Sequence, residues 1–178
     1  VLRSYVIEID SLNRLNQNLT AENTRVKGQY EEATRQIEGL NTEKASLTEK
    51  IAIASQLDAI GINMSLIDKR SKATNKLSKC RTVQVSFNIA KNVTATNGMR
   101  TLYVRIVSPT GSTLGNAGSF PYENRTLQSS MKKSVEYGGQ QTAVTTYWTV
   151  DQALVEGTYQ VSIFADGNMI GSKSFTFK

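Results

Sequence analysis

Residues 2–54 read LRSYVIEIDSLNRLNQNLTAENTRVKGQYEEATRQIEGLNTEKASLTEKIAIA, a stretch in which apolar residues recur at alternating spacings of three and four. This spacing is the heptad pattern of a coiled coil, and it continues for more than seven heptads without a break. A helix of this length spans roughly 80 Å, and a seam that repeats about every 3.5 residues predicts left-handed supercoiling. The residues expected in the seam are Ile9, Leu12, Asn16, Leu19, Asn23, Val26, Tyr30, Ile37, Leu40, Lys44, Leu47 and Ile51.

The seam predicts that the chain associates with itself. A one-sided apolar stripe has to be buried against another helix, and no second long helical pattern follows in the sequence. Asn16 and Asn23 occupy a positions, where asparagine side chains pair across a parallel two-stranded seam. Tyr5 and Tyr30 are bulky for such a seam and leave a trimer as the alternative. We therefore expect a homo-oligomer, with a parallel dimer favoured.

After residue 55 the pattern changes to alternation of apolar and polar residues, which is typical of β-strands. Seven or eight short strands separated by turn signals predict an antiparallel β-sandwich. The expected strands cover residues 60–66, 83–89, 102–106, 119–125, 129–137, 142–150, 158–165 and 169–177.

The stretch from Leu154 to Tyr159 resembles the tyrosine corner of immunoglobulin-like (Ig-like) domains, in which the tyrosine hydroxyl bonds to upstream backbone. The fold class predicted is therefore α+β in two parts. Residues 1–55 form a long parallel coiled-coil helix that acts as an oligomerisation stalk. Residues 56–178 form an antiparallel Ig-like β-sandwich.

The net charge of +6 is unevenly shared along the chain. Residues 1–58 hold seven basic and nine acidic side chains, whereas residues 59–178 hold fourteen and six. One segment, residues 69–81, contains no acid and is read as a polar, solvated connection between strands. It could also contact an anionic surface such as phospholipid, lipopolysaccharide, a teichoic-type polymer or nucleic acid. Its basic residues are Lys69, Arg70, Lys72, Lys76, Lys79 and Arg81.

Composition excludes several kinds of chemistry. The chain has no histidine, which removes histidine-based general catalysis, histidine-ligated zinc and Ser/His or Cys/His nucleophile pairs. Cys80 is the only cysteine, so no intramolecular disulfide can form. Carboxylates of the β-region are scattered, and we find no P-loop, dinucleotide-binding or EF-hand spacing. We expect a protein that is not an enzyme and that needs no cofactor or metal.

Residues 57–178 resemble a family of Bacteroidetes cell-envelope proteins that join a coiled coil to a small β-sandwich and are often labelled chromosome-segregation-like. The resemblance implies a membrane-anchored or lipid-anchored protein on the periplasmic side, with its anchor upstream of residue 1 and its coil setting the β-domain away from the membrane. It implies no catalytic or ligand residues. The matching residues are Val85-Ser-Phe87, Asn92, Gly98, Leu102-Tyr-Val-Arg-Ile106, Pro109-Thr-Gly111, Val135-Glu-Tyr137, Tyr147-Trp148, Gly157-Thr-Tyr159, Ala165-Asp-Gly167, Ile170-Gly171 and Ser174-Phe175.

Three hypotheses of function follow. The first is a non-enzymatic envelope protein whose coiled-coil stalk presents an Ig-like domain to a protein or a glycan. The second is a cytoplasmic coiled-coil scaffold or segregation-type factor that contacts nucleic acid through residues 69–81. Nucleic acid is the less favoured partner, because that segment has no aromatic residue for base stacking. The third is a fibre or adhesin with a trimeric coil.

Overall fold

A computed structural model describes residues 2–178 and divides the chain into two compact units, Val1–Lys50 and Ile51–Lys178. The predicted long helix is confirmed as α1, Leu2–Ala54, which has 53 residues. Proline is absent from this stretch, so nothing interrupts the backbone hydrogen bonds of the helix. No residue of α1 is buried. Among residues 2–178, no helix combines the length and apolar character needed to cross a membrane.

The rest of the chain is built from strands. Because apolar and polar residues alternate, each long strand turns one face inward and the other outward. A single 3₁₀ turn, Leu77–Lys79, precedes the third strand. The strands are β1 Ala59–Asp68, β2 Ala73–Thr74, β3 Cys80–Ile89, β4 Gly98–Val107, β5 Ser119–Tyr122, β6 Arg125–Gln128, β7 Met131–Tyr137, β8 Thr142–Thr149, β9 Gly157–Ala165 and β10 Asn168–Phe177.

These strands form two four-stranded sheets and a separate hairpin, and all their pairings are antiparallel. One sheet has the order β2-β1-β3-β8, the other has the order β10-β9-β4-β7, and β5 pairs with β6. The inward side chains of both four-stranded sheets belong to one apolar core. Val83 and Val85 of the first sheet and Leu102 and Ile163 of the second are fully buried in it. The β-region therefore makes its core from its own residues.

The number of strands exceeds the seven or eight expected. The predicted single strand 119–125 is wrong, because the chain turns after β5 and returns as β6. At that turn Glu123 has a φ of 51°, a backbone conformation more typical of glycine or asparagine, so the sequence carried no clear turn signal. The second addition is β2, which lies inside the basic segment and pairs with the end of β1 through Leu66↔Thr74 and Ile67↔Ala73. The segment expected to be a plain connection is thus partly a short hairpin.

Two buried tyrosines close the loops of the β-region. The hydroxyl of Tyr159 donates to the carbonyl oxygen of Val155 at 2.6 Å and accepts from its backbone N–H at 3.0 Å. This confirms the hydrogen bond to upstream backbone that the tyrosine-corner pattern predicted. The hydroxyl of Tyr137 makes a similar pair, donating to the Ala90 carbonyl at 2.7 Å and accepting from the Asn92 N–H at 2.8 Å. Each hydroxyl thereby satisfies one backbone donor and one backbone acceptor.

Candidate functional site

The residues predicted for the seam all lie exposed on α1. Leu12, Leu19, Leu40 and Leu47 are each at least half exposed, and the aliphatic a-position residues are similar. An apolar stripe of this length is not covered by any part of residues 2–178, since α1 contains no buried residue. The stripe is therefore free to pack against another helix.

The basic segment is folded by a carboxylate at its start. One oxygen of Asp68 accepts hydrogen bonds from the backbone N–H groups of Arg70, at 2.7 Å, and Lys72, at 3.0 Å. These bonds hold the tight turn after β1, in which Ser71 has a φ of 59°. The chain then pairs back as β2, passes through the 3₁₀ turn and enters β3, where Cys80 lies opposite Asp68. Lys69 and Arg70 are thereby brought to the same place as residues 78–81, which lie eight or more positions later in the sequence.

That place is an open pocket of about 420 Å³, which we call the cationic pocket. Four of the six predicted basic residues line it, and Lys72 and Lys76 do not. All six residues are exposed, which confirms the exposure predicted for Lys69, Lys72, Lys76 and Lys79. The lining residues are Asp68, Lys69, Arg70, Ser78, Lys79 and Arg81.

The charges around the cationic pocket are only partly neutralised. None of the six basic side chains forms a salt bridge with a carboxylate within residues 2–178. The backbone hydrogen bonds from Lys72 and Arg70 lower the pKa of Asp68 from its ordinary value, and the charges of Arg70 and Lys79 lower it further. Asp68 is therefore ionised at neutral pH, and it offsets one of the four positive charges around it. The electrostatics favour an anion at this site.

The pair Tyr147-Trp148 divides between the two faces of β8, as alternation predicted. Trp148 is buried and Tyr147 is 62% exposed. Tyr147 lies on the outer face of the first sheet, opposite Gln84 of β3, which in turn lies opposite Ser65 of β1. No charged residue projects from this face between Asn63 and Ile67 of β1, and the same is true of the neighbouring parts of β3 and β8. The face offers amide and hydroxyl groups beside one exposed aromatic ring.

Other groups with reactive side chains do not assemble into a site. Among residues 2–178, no three His, Cys, Asp or Glu side chains come close enough together to hold a metal ion. Cys80 is 3% exposed, and burial raises the pKa of its thiol. Burial also raises the pKa of Tyr159 and of Tyr122, and Glu123 adds to the rise at Tyr122. These shifts keep both phenols and the thiol neutral at physiological pH.

Asn92 is a structural residue whose role local sequence patterns did not reveal. Its side-chain amide donates to the backbone carbonyls of Ala54, the last residue of α1, and of Gln56 just after it, each at 2.9 Å. Its side-chain oxygen accepts from the backbone N–H groups of Thr94 and Ala95. The partners at the helix end lie 38 and 36 residues upstream, so no local pattern could have indicated these bonds.

A separate aromatic cluster fixes the β5–β6 hairpin on the outer face of the second sheet. The ring of Phe120 stacks on Tyr103, with 4.6 Å between centroids, and lies 4.9 Å from the ring of Phe164. Tyr122 meets Phe164 edge-on at 5.0 Å. Phe120 and Phe164 are almost fully buried by these contacts, so the cluster serves packing.

Comparison with known families covers most of the chain. A family model described as a domain of unknown function, DUF8428, matches residues 60–178. A second model, described as a coiled-coil region of unknown function, DUF8429, matches residues 1–45. The coiled coil predicted from the heptads is thereby supported, while the resemblance to Bacteroidetes envelope proteins stays a prediction. Searches of curated proteins and of solved structures return no match.

Proposed function

Since the chain belongs to the DUF8428 family of domains of unknown function, we propose a function from its two parts: a non-enzymatic, homo-oligomeric protein in which a coiled coil joins copies of an Ig-like binding domain. Two features carry this proposal together: the apolar stripe of α1 is exposed, and the β-region has a core made of its own residues. The stripe is used between copies, and the β-region is left free to bind something else.

The favoured assembly is a parallel dimer. Isoleucine at a positions with leucine at d positions favours two strands, and both patterns are present in α1. Asn16 and Asn23 add specificity, because an asparagine pair is satisfied across a parallel two-stranded seam and poorly in other registers. Lys44 also suits two strands, since its stem can lie along the seam while its ammonium group reaches water.

The order of the strands supports the Ig-like assignment of the β-region. In Ig-like domains the first, second and fifth strands share one sheet, and the third, sixth and seventh share the other. With β2 and the β5–β6 hairpin set aside, β1-β3-β8 opposite β10-β9-β4 follows this order, and β7 extends the second sheet. Tyr159 near the start of β9 occupies the place of the tyrosine corner.

The resemblance of residues 57–178 to envelope proteins supports a location in the cell envelope, on the periplasmic side. The expected partner of the β-domain is an envelope protein or a glycan. Exposed Tyr147 and the uncharged amides and hydroxyls around it are groups that can stack on and hydrogen-bond to such a partner. Cell fractionation with a tagged full-length protein tests the location, and recovery in the cytoplasmic fraction would favour the nucleic-acid scaffold instead.

Sedimentation of the full chain tests the assembly. We expect a dimeric mass. Fluorescent labels attached to the same end of α1 in two copies should show energy transfer, because a parallel dimer brings like ends together. A trimeric mass would favour the fibre hypothesis, and a monomer would contradict the proposal. Replacing Asn16 and Asn23 together by leucine should raise the melting temperature of the coil and broaden the range of oligomers, because a buried polar pair exchanges stability for specificity.

A fragment of residues 51–178 tests the independence of the β-region. We choose this start because the unit begins at Ile51 and because Asn92 bonds to Ala54 and Gln56. The fragment should be monomeric and should melt cooperatively with a β-type circular dichroism spectrum. An unfolded spectrum would mean that helix and sheets depend on each other. Pull-down from envelope extracts, with Tyr147→Ala as the variant, then tests partner binding.

A further inference from the structure

We propose that the cationic pocket is a binding site for phosphate, in its doubly charged phosphomonoester form. The inference deepens the proposed function, because it rests on the β-domain being a binding module and names a ligand chemistry for it. It does not depend on how many copies the coil joins.

The first argument is the convergence of donors. Lys69 and Arg70 come from the turn after β1, Ser78 and Lys79 from the 3₁₀ turn, and Arg81 from the start of β3. A carboxylate offers two oxygens in one plane, whereas a phosphate offers oxygens in several directions. Donors from two separate stretches of chain, residues 69–70 and 78–81, match the phosphate better than a planar carboxylate, and a guanidinium group can bind two of its oxygens at once.

The second argument is charge complementarity. Four cations and one carboxylate line the pocket, which leaves an excess of three positive charges. The carboxylate of Asp68 already accepts two backbone hydrogen bonds and makes no salt bridge within residues 2–178. The four basic side chains of the pocket are therefore available to a ligand. A dianion offsets most of this excess, and a monoanion offsets less of it.

The third argument is that the structure divides the basic segment. If the segment were a diffuse cationic surface, each of its six basic residues would contribute about equally to binding an anion. The fold instead gathers four of them and leaves Lys72 and Lys76 outside. The chain thus supplies a charge-matched control, since two variants with the same loss of charge differ in whether the lost groups line the pocket.

The test is calorimetric titration of the full chain with methyl phosphate at constant ionic strength. We expect the double variant Arg70→Gln/Lys79→Gln to bind at least about tenfold more weakly, because charged hydrogen bonds to the ligand are lost. The control Lys72→Gln/Lys76→Gln should change affinity less than about twofold, since exposed charges outside the pocket are screened. Unchanged thermal unfolding of the β-region would show that both variants fold. Equal weakening in the two variants, or no binding by the parent at millimolar concentration, would overturn the pocket.

The pH dependence of binding identifies the ionic form. The pocket is lined by lysine, arginine, aspartate and serine, residue types whose side chains do not ordinarily change charge between about pH 5 and about pH 8. The chain also has no histidine. A phosphomonoester loses its second proton, and so gains its second negative charge, at about pH 6. Affinity for methyl phosphate should therefore rise across this range while affinity for sulfate stays constant. A parallel rise for sulfate would mean that a protein group titrates, and it would overturn the assignment.

Vesicles distinguish two sources of the phosphate group. Retention on phosphatidylcholine vesicles that contain phosphatidic acid, lost in Arg70→Gln/Lys79→Gln but kept in the control variant, would support the site with a lipid headgroup as its source. Binding of methyl phosphate without vesicle retention would support the site with a soluble or polymer-borne phosphate. Retention that depends equally on both pairs of residues would contradict a discrete pocket. The binding measurements do not depend on the oligomeric mass that sedimentation measures. The phosphate site and the proposed homo-oligomer can therefore fail separately.

Discussion

The two regions of this protein differ in whether their apolar residues are buried within the chain. Helix α1 contains 53 residues and buries none of them, although leucine and isoleucine recur along its whole length. The β-region places the side chains of two sheets in one core, in which Val83, Leu102 and Ile163 are completely buried. One region thus has a core within a single chain, whereas the other leaves its apolar stripe exposed, which is compatible with the proposed association between copies. We therefore expect substitutions in the two regions to be detected by different measurements.

The largest effect is expected from charge in the seam. Leu19→Glu with Leu40→Glu should abolish association and the helical melting transition, since each lost leucine contact costs about 2–5 kcal/mol and the new charges repel. Thermal unfolding of the sheets should stay unchanged. Asn18→Glu with Thr42→Glu, at outer positions of the same heptads, is the charge-matched control and should remain associated. Sedimentation and circular dichroism measure both. A protein that stays oligomeric without these leucines would place the interface elsewhere.

The next contrast uses one substitution in both regions. Gly157→Ala should lower the free energy of unfolding of the β-region by about 1–3 kcal/mol, because the backbone there has a φ of 135° and a Cβ would lie 2.7 Å from Pro109. Gly39→Ala should instead stabilise the coil by about 1 kcal/mol, since alanine is the better helix former. Apart from adjacent residues and the nearby backbone of the helix itself, no atom of the described residues lies within 4 Å of the Cβ that alanine would add at position 39. Denaturant unfolding, followed by circular dichroism at one wavelength for the helix and one for the sheets, measures both changes in free energy. If the two substitutions changed stability in the same direction, the predicted contrast between the regions would be wrong.

A smaller loss is expected at the tyrosine corner. Tyr159→Phe removes a hydroxyl that serves both backbone groups of Val155 and should lower the free energy of unfolding of the β-region by about 1 kcal/mol. The oligomeric mass should not change. Tyr147→Phe removes the same atom from a ring that is 62% exposed and should have no measurable effect. Equal losses in the two variants would show that the buried hydrogen bonds contribute nothing specific.

The smallest effect is a pH dependence confined to the β-region. Backbone hydrogen bonds lower the pKa of Asp68 from its ordinary 3.8 in the folded protein, so the ionised carboxylate stabilises the fold. This contribution is fully present above the ordinary value and is lost as the pH falls through the lower, folded-state pKa. The difference in melting temperature between the parent and Asp68→Asn should therefore be constant at neutral pH and shrink in strong acid. A difference independent of pH would show that the turn does not need the charge.

The sequence predicted those elements whose residues are specified by local periodicity. The heptads of α1 and the alternation in β1, β3, β4, β8, β9 and β10 are each visible within a few residues, so both the helix and the antiparallel sheets were anticipated. The additional strands were not. In the β5–β6 hairpin, Phe120 packs against Tyr103 and Phe164, which are distant in the sequence. Contacts of this kind have no local signature.

The cationic pocket was predictable in composition and unpredictable in shape. Six basic residues without an acid were evident in the sequence, yet nothing in it ranked Arg70 and Lys79 above Lys72 and Lys76. The choice is made by the pairing of β2 with β1 and of Asp68 with Cys80, which folds the segment back on itself. Two residues of β2 are too short a pattern to distinguish from a loop.

The burial of Cys80 gives the β-region its own kinetic reporter. A thiol-alkylating reagent reacts with the exposed thiolate, and this sulfur is almost fully covered and bonded to the Thr82 carbonyl at 3.4 Å. Because the chain has no other cysteine, labelling can proceed only as fast as this part of the sheet opens. The rate of alkylation, followed by mass spectrometry on the intact protein, therefore measures opening of the sheet without interference from α1. A single buried thiol thus reports the opening rate of the β-region alone.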